Sequence, residues 1–340
     1  MNRSESYFSL LWRPSLVATT FLLAAFGAQA CNPAYAGLII TPTFDSTITS
    51  DPNAAAIEGV INNAIGIYEA DFSDPINVTI DFKEMSSGLG GSLVTEYKIP
   101  YSTFYNALAA DATTSNDATA MAHLNSGTNT FNPVTGSTNI DVKTANLRAV
   151  GIFGDNSGLP GGYDGVISLN THITDVGSPG TSGVYSLAAT AEHEIDEVLG
   201  LGSDVSGTGF FSDPLPEDLF RYASNGSRSY TSNTSANAFF SIDGTTDLAQ
   251  FDNQNDGGDW GDWQSNPLPN GVQPEVQDAF ATPNSHPTLG VELTALDVIG
   301  YNLESGAGPV PEPGSMTLAA LGAVGLAICS RRKLAKKFAG

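Results

Sequence analysis

The sequence predicts an α+β domain built on a mixed, twisted β-sheet, and three patterns support this fold class. Ile76, Val78, Ile80 and Phe82 alternate with polar residues, which is typical of a half-buried strand. Apolar side chains between residues 57 and 68 recur at helical spacing and give one helix a core face. Strand-like and helix-like segments then follow one another along the chain, so we expect helices to pack on a sheet.

The remaining elements are predicted in chain order from apolar periodicity and from turn and cap residues. We expect strands at 38–44, 76–82, 93–99, 150–153 and 165–169, and helices after residue 52 and at 102–110, 117–124, 185–199 and 292–301. Glycine-rich turns are expected at 88–91 and 158–165, an irregular polar stretch at 126–146, and a surface loop at 224–236 within the acidic region 203–274.

The amino-terminal segment, residues 1–36, has the pattern of a signal peptide. Basic residues precede an apolar run at 16–26 that is too short to span a bilayer as a mature helix. Small residues then occur at cleavage-compatible spacing, so cleavage is expected either before Cys31 or before Gly37. The chain is therefore predicted to be exported through the inner membrane.

The carboxy-terminal segment, residues 309–340, combines Pro311-Glu312-Pro313, an apolar run at 316–329 and a basic end. This order of features resembles the PEP-CTERM sorting signal of Gram-negative bacteria. The resemblance implies that a sorting transpeptidase cuts near the Pro-Glu-Pro after transient membrane anchoring through the tail. The mature protein would then begin at residue 31 or 37, end near residue 311, and be released at the cell surface, in the outer membrane or in the extracellular matrix.

The segment between the two ends, residues 37–308, is predicted to be one strongly acidic domain. The whole chain has 13 basic and 36 acidic residues, of which 7 basic and 2 acidic residues lie in the end segments, so residues 37–310 have a formal charge of −28. Such a domain repels nucleic acid and anionic membrane surfaces, and it can attract cations. The two cysteines of the chain, Cys31 and Cys329, lie at or inside the removed ends, so we expect no disulfide in this domain.

The predicted helix at 185–199 carries a dense cluster of metal-binding residue types. His193 and Glu197 are four residues apart and project from the same side of a helix, so both can bind one metal ion. Glu194 would point towards the open position of that metal, where it can accept a proton from water. Gly200 can end the helix in a left-handed cap and turn the chain back.

This motif resembles the His-Glu-x-x-His sequence of zincin metalloproteases in its metzincin-like extension. The resemblance implies that His193 binds zinc, that Glu194 is the general base and that Gly200 makes the turn. Two positions depart from the family, because Glu197 replaces the second histidine and Ser203 stands where a metzincin has its third.

The chain also resembles a family of bacterial exported metalloproteases over roughly residues 38–303. The segments that carry this likeness are the strand–helix–strand opening, residues 165–170, 218–222, 240–244 and 295–301. In that family Ser203 is the usual residue, and a histidine is expected where this chain has Asp262, just before Trp263. The likeness therefore implies His193, Glu197 and Asp262 as the metal ligands.

Several neighbouring residues have other interpretations. His286 is a reserve third ligand, whereas His123 and His172 are expected to be surface or core histidines, and Glu192 and Asp196 a solvated acidic face. An EF-hand around residues 252–257 is rejected because its twelfth position is a tryptophan, although a calcium site of another shape stays open.

The predicted function is a secreted zinc-dependent endopeptidase that hydrolyses a peptide or protein substrate. The strand Gly165–Leu169 is expected to hold the substrate in an extended pose. The main alternative is a catalytically inactive surface or biofilm-matrix protein that binds divalent cations, calcium included, through its carboxylates. A third alternative is a carbohydrate-binding protein that uses Trp260 and Trp263 as stacking surfaces.

Overall fold

The computed structural model describes residues 37–126, 131–152, 161–176, 184–205, 212–224, 226–253 and 256–304. The predicted signal peptide and sorting tail lie outside these residues, so the boundaries at 36 and 309 stay predictions. No helix within the described ranges is long and apolar enough to cross a membrane.

The described elements alternate between strands and helices, as the sequence predicts. The strands are β1 (Ile39–Phe44), β2 (Asn77–Glu84), β3 (Gly90–Val94), β4 (Glu96–Pro100), β5 (Asn139–Lys143), β6 (Gly165–Leu169), β7 (Arg221–Tyr222), β8 (Phe239–Phe240) and β9 (Ala249–Gln250). The helices are α1 (Ser46–Thr49), α2 (Ala54–Asp71), α3 (Tyr101–Asp111), α4 (Ser115–Met121), α5 (Thr144–Ala149), α6 (Leu187–Leu199) and α7 (Val291–Val298), with a 3₁₀ turn at Glu217–Phe220.

The main sheet has the strand order β1-β2-β6-β3. β1, β2 and β6 run parallel, and β3 pairs antiparallel with β6 and forms the edge of the described sheet. Val78, Ile80 and Phe82 of β2 are fully buried, in agreement with their alternation in the sequence. The predicted α+β class with a mixed sheet is therefore confirmed.

Helix α6 lies at the centre of the domain, where it packs against α2, β3 and β6. Helix α2 buries Ile57, Ile61 and Tyr68, which belong to the apolar stripe that the sequence shows. Leu187, Ala191, Ile195 and Val198 of α6 are buried in the same core, so the helix that carries the metal-binding motif is held on several sides.

Three parts of the secondary-structure prediction are wrong. The predicted strand at 93–99 is broken at Thr95, because β3 pairs with β6 whereas β4 pairs with β5 in a separate two-stranded sheet. The stretch 126–146 is not irregular throughout, since it contains β5. The strand expected at 150–153 is not formed at residues 150–152, where the chain turns after the end of α5. Asp141 and Lys143 of β5 are buried, which hides the usual alternation of apolar and polar residues.

The region after α6 carries little regular structure but has its own core. Phe240, Phe251 and Trp263 stack against one another with ring centroids 5.2–6.4 Å apart. Arg221 is fully buried beneath them, where it donates hydrogen bonds to the Trp260 carbonyl at 2.7 Å and to Asn253 Oδ1 at 2.9 Å. This cluster fixes the start of residues 256–282, which we call the ligand loop.

Candidate metal centre

Local sequence features explain where α6 begins and ends. The Ser186 hydroxyl accepts a hydrogen bond from the Ala189 amide at 3.1 Å, which caps the amino terminus. Gly200 ends the helix at φ 155°, which is more extended than the left-handed cap that the sequence predicts. A Cβ atom at this position would lie 2.8 Å from Ile299 Cδ1, so close packing against the segment after α7 also requires glycine.

Three side chains converge on one point beside α6. His193 Nε2 lies 3.9 Å from Glu197 Oε1 and 3.7 Å from Asp262 Oδ2. Within the described part of the chain, this is the group of histidine, cysteine and acidic residues whose donor atoms all lie within 4.8 Å of one another. The first two side chains come from α6 and the third from the ligand loop.

Each of these three side chains is oriented by a second contact. His193 Nδ1 lies 3.0 Å from the Val276 carbonyl, which holds a proton on Nδ1 and turns Nε2 towards the cluster. The Ser92 hydroxyl donates to Glu197 Oε2 at 2.6 Å, and Gln277 Nε2 donates to Asp262 Oδ1 at 2.9 Å. One nitrogen and two carboxylate oxygens are thus held towards a common centre, and this donor set fits a divalent metal ion.

The electrostatics of the cluster favour a cation at its centre. Burial raises the pKa of Asp262 to about 7, an effect that His193 opposes and Glu197 reinforces. Burial lowers the pKa of His193, but the charges of Asp262, Glu194 and Glu197 outweigh it and raise the pKa to about 10. Negative charge therefore exceeds positive charge among these buried groups, and a bound cation would relieve the imbalance.

Glu194 lies between α6 and the edge strand β3. Its Oε1 atom is 2.2 Å from the position that a Cβ atom of Gly90 would occupy, so only glycine leaves room for this carboxylate. Its Oε2 atom is buried and accepts no hydrogen bond from a described residue. Burial raises the pKa of Glu194 well above its usual range, and the Glu197 charge adds to the effect. A desolvated carboxylate with an unused acceptor is suited to take up a proton.

The cluster opens onto a cleft of about 660 Å³ between β3 and the ligand loop. Gly90, Gly91 and Ser92 line one side of the cleft, whereas residues 274–276 and 278–282 line the other. The prediction that β6 holds the substrate is corrected here, because β6 is an interior strand between β2 and β3 and already pairs on both edges. The strand that borders the cleft is β3.

Glu192 and Asp196 do not form the solvated face that the sequence predicts. Glu192 is 3 % exposed and Asp196 is fully buried, and the Tyr68 hydroxyl lies 2.7 Å from the Glu192 carbonyl and 2.9 Å from Asp196 Oδ1. Burial raises the pKa of Glu192 to about 8 and the pKa of Asp196 well above its usual range, and the Glu292 charge adds to both. α6 is thus buried on its acidic side as well.

The remaining candidate residues lie away from the cluster. His286 Nδ1 is 3.6 Å from Asp175 Oδ2, so the structure brings Asp262, and not His286, to the other ligands. His123 and His172 are exposed, so of the two predicted roles, surface or core, both residues have the first.

The segment 252–257, for which a calcium site of another shape stays open, also contacts the ligand loop. The Asp252 amide donates to the Asp262 carbonyl at 2.7 Å, so it supports the ligand loop. Gln254 of the same pattern lies outside the described residues.

Trp263 cannot serve as a sugar-stacking surface. It is 1 % exposed, it packs on Phe240 and Phe251, and its indole nitrogen donates to Glu292 Oε1 at 3.1 Å. The hypothesis of a carbohydrate-binding protein loses one of its two aromatic residues.

Three contacts at the cluster were missed by sequence reasoning. Ser92, the Val276 carbonyl and Gln277 orient the three metal-binding side chains, yet none of them belongs to a motif that marks such a role. The fold alone brings them to α6, across 83 to 105 residues of sequence.

Comparison with known proteins identifies one segment of the chain. A family model for the PEP-CTERM protein-sorting motif matches residues 309–333. No curated protein and no solved structure matches the chain. The motif indicates export, processing of the tail by an exosortase, and a surface or extracellular location in a Gram-negative bacterium.

Proposed function

We propose that residues 37–308 form a secreted, zinc-dependent endopeptidase with a zincin-like active site. The observation that carries this proposal is the convergence of His193, Glu197 and Asp262 at the side of a cleft, with the buried carboxylate of Glu194 next to them. A zinc ion bound by these residues would supply Lewis-acid activation of water and of the peptide carbonyl.

The chain's own residues would divide the work between binding and proton transfer. His193, Glu197 and Asp262 hold the metal through one imidazole nitrogen and two carboxylate oxygens. Glu194 accepts the proton of the attacking water and later delivers it to the leaving amine. Because Glu194 is 5 % exposed and is packed against Gly90, its carboxylate has little freedom to turn away.

The edge strand β3 would bind the substrate backbone. An extended peptide can add to the free edge of β3 as a further strand, which places a peptide carbonyl near α6. The described lining of the cleft contains no lysine or arginine, whereas six carboxylates line it: Glu194, Glu197, Asp259, Asp262, Glu275 and Asp278. This charge favours cationic over acidic peptides.

A second candidate function is cation binding without catalysis at the cell surface. Two of the three ligands are carboxylates, which are harder donors than imidazole and admit manganese or calcium more readily than a three-histidine site does. In that case the excess of acidic residues, 34 against 6 basic residues in residues 37–310, would bind cations in the extracellular matrix and would not select a substrate.

Metal analysis of the purified mature domain, combined with a peptide-cleavage assay, separates the two functions. Tight binding of one zinc per chain and chelator-sensitive cleavage of a lysine-rich peptide, faster than that of its glutamate-rich counterpart, are expected for the enzyme. Calcium binding without cleavage of either peptide would reject the enzyme in favour of the matrix protein. A domain that binds no divalent metal would reject both.

A further inference from the structure

The side chain of Gln277 occupies an unusual place beside the metal-binding cluster. It is fully buried, its Nε2 atom lies 2.9 Å from Asp262 Oδ1 and 3.4 Å from His193 Nε2, and its Oε1 atom is buried without a hydrogen-bond partner among the described residues. Leaving a buried amide oxygen without a partner destabilises the folded protein. The amide end therefore faces His193 Nε2 and Asp262 Oδ1, two atoms of the proposed metal-binding side chains, while its own oxygen has no partner among the described residues.

We propose that Gln277 is the fourth protein ligand of the metal, through Oε1. A half-turn about the last side-chain bond exchanges the oxygen and nitrogen of an amide without changing its shape. That rotation places Oε1 where Nε2 lies, next to Asp262 Oδ1 and His193 Nε2. This inference rests on the metal site of the proposed function and adds a ligand to it.

The distances from His193 Nε2 to the other three donor groups suit a tetrahedral metal. Ligand atoms about 2.1 Å from a tetrahedral metal lie about 3.4 Å from one another. The amide end of Gln277 is 3.4 Å from His193 Nε2, and the Glu197 and Asp262 oxygens are 3.9 and 3.7 Å from the same nitrogen. A small contraction on metal binding would bring these edges to the tetrahedral value.

The backbone around Gln277 is fixed independently of its side chain. The Gln277 amide donates to Glu292 Oε1 at 3.0 Å, its carbonyl accepts from the Trp263 amide at 2.8 Å, and the next strand-like contact runs from the Ala279 amide to the Trp263 carbonyl at 3.0 Å. These contacts hold Gln277 beside Asp262, so the position of the amide does not depend on a flexible loop. With four protein donors, a reacting water would enter as a fifth ligand.

The alternative role for Gln277 is that of a hydrogen-bond donor that merely positions Asp262. Gln277→Glu separates the two roles, because it keeps an oxygen at the same place and removes the donating NH₂ group. Gln277→Leu removes both the oxygen and the donor. Gln264→Leu is the matched control, since Gln264 pairs with Gln250 in the same region and does not contact the cluster.

The experiment measures the zinc affinity of the mature domain by competition with a chelator, together with the visible spectrum of the cobalt(II)-loaded protein. We expect Gln277→Leu to weaken zinc binding by about tenfold or more and to change the cobalt spectrum. Gln277→Glu should bind zinc at least as tightly as wild type, and Gln264→Leu should match wild type. Equal weakening by Gln277→Glu and Gln277→Leu, or wild-type affinity of Gln277→Leu, would overturn the ligand role.

A crystal structure of the zinc-loaded wild-type domain provides a test that needs no variant. We expect Gln277 Oε1 about 2.0–2.3 Å from the zinc ion. A water in that position, with Nε2 still donating to Asp262, would overturn the proposal while leaving the three-ligand site intact. Failure of the wild-type domain to bind zinc, manganese or cobalt would remove the proposed function together with the role of Gln277.

Discussion

The candidate metal centre is assembled from two regions of different character. Helix α6 contributes His193, Glu194 and Glu197, whose relation is set by helical geometry alone. The ligand loop contributes Asp262 and Gln277, whose relation depends on pairing between two irregular stretches. A local motif can therefore be read from spacing, whereas its partner is created by the tertiary fold, and the predictions below test whether both regions act on the same metal ion.

The largest effect is expected at Glu194, the residue of α6 that faces the cleft. Glu194→Gln preserves the shape of the side chain but removes its ability to accept a proton, so hydrolysis should fall by about 10²–10⁴-fold or more. Metal content should be unchanged, because the proposed ligands are intact. We would measure the cleavage rate and the zinc content of the same preparation, with exposed Glu304→Gln as the control. Cleavage at the wild-type rate would exclude Glu194 as the general base.

The second prediction compares the two regions directly. Asp262→Ala in the ligand loop and His193→Ala in α6 should each weaken zinc binding by more than the roughly 10–100-fold that loss of an outer partner causes. The double variant should bind zinc only slightly less tightly than the single variant with the lower affinity. Two residues that bind the same ion do not contribute independently to the affinity. Additive losses, measured by chelator competition, would mean that the two regions do not share an ion. Asp247→Asn, at an exposed position, is the control.

The sequence predicts the helix side of the metal centre better than the side formed by the ligand loop. The alternation in β2, the stripe on α2 and the motif on α6 all follow from periodicity, and the structure contains each of these elements. The position of Asp262 came only through resemblance, and Gln277 carried no signal, since hydrogen bonds to a distant residue leave no periodic trace. Glu192 and Asp196 were misjudged because acidic residues are rarely buried, and only the packing of α2 against α6 encloses them.

The third prediction restores the second histidine of the motif in α6. With Glu197 and Asp262 as ligands, two negative charges balance a divalent ion, whereas Glu197→His leaves more positive charge at the centre. The ionisation that activates water should then shift to lower pH, and zinc binding should be at least as tight as in the wild type. The pH dependence of the cleavage rate and the zinc affinity would be recorded beside Ser92→Ala, which removes only the hydroxyl that holds Glu197. An unchanged pH profile and unchanged affinity would mean that Glu197 is not a ligand.

The smallest effect on metal binding and cleavage is expected at the buried acidic side of α6, where the prediction concerns the pH dependence of stability. Burial raises the pKa of Glu192 from 4.5 to about 8, so the folded domain holds a proton there that the unfolded chain releases. A group whose pKa is raised on folding makes the free energy of unfolding fall as pH increases between the two values, here from about pH 4.5 to about 8. Urea unfolding of the metal-free domain should therefore show a loss of stability across this window. Glu192→Gln should remove up to about 5 kcal/mol of that pH dependence, because each unit between 4.5 and about 8 is worth about 1.4 kcal/mol. Glu304→Gln, at an exposed site, should leave the slope as it is in the wild type. If Glu192→Gln also leaves the slope unchanged, Glu192 is ionised in the folded domain, and the acidic side of α6 is open to solvent instead of being packed against Tyr68.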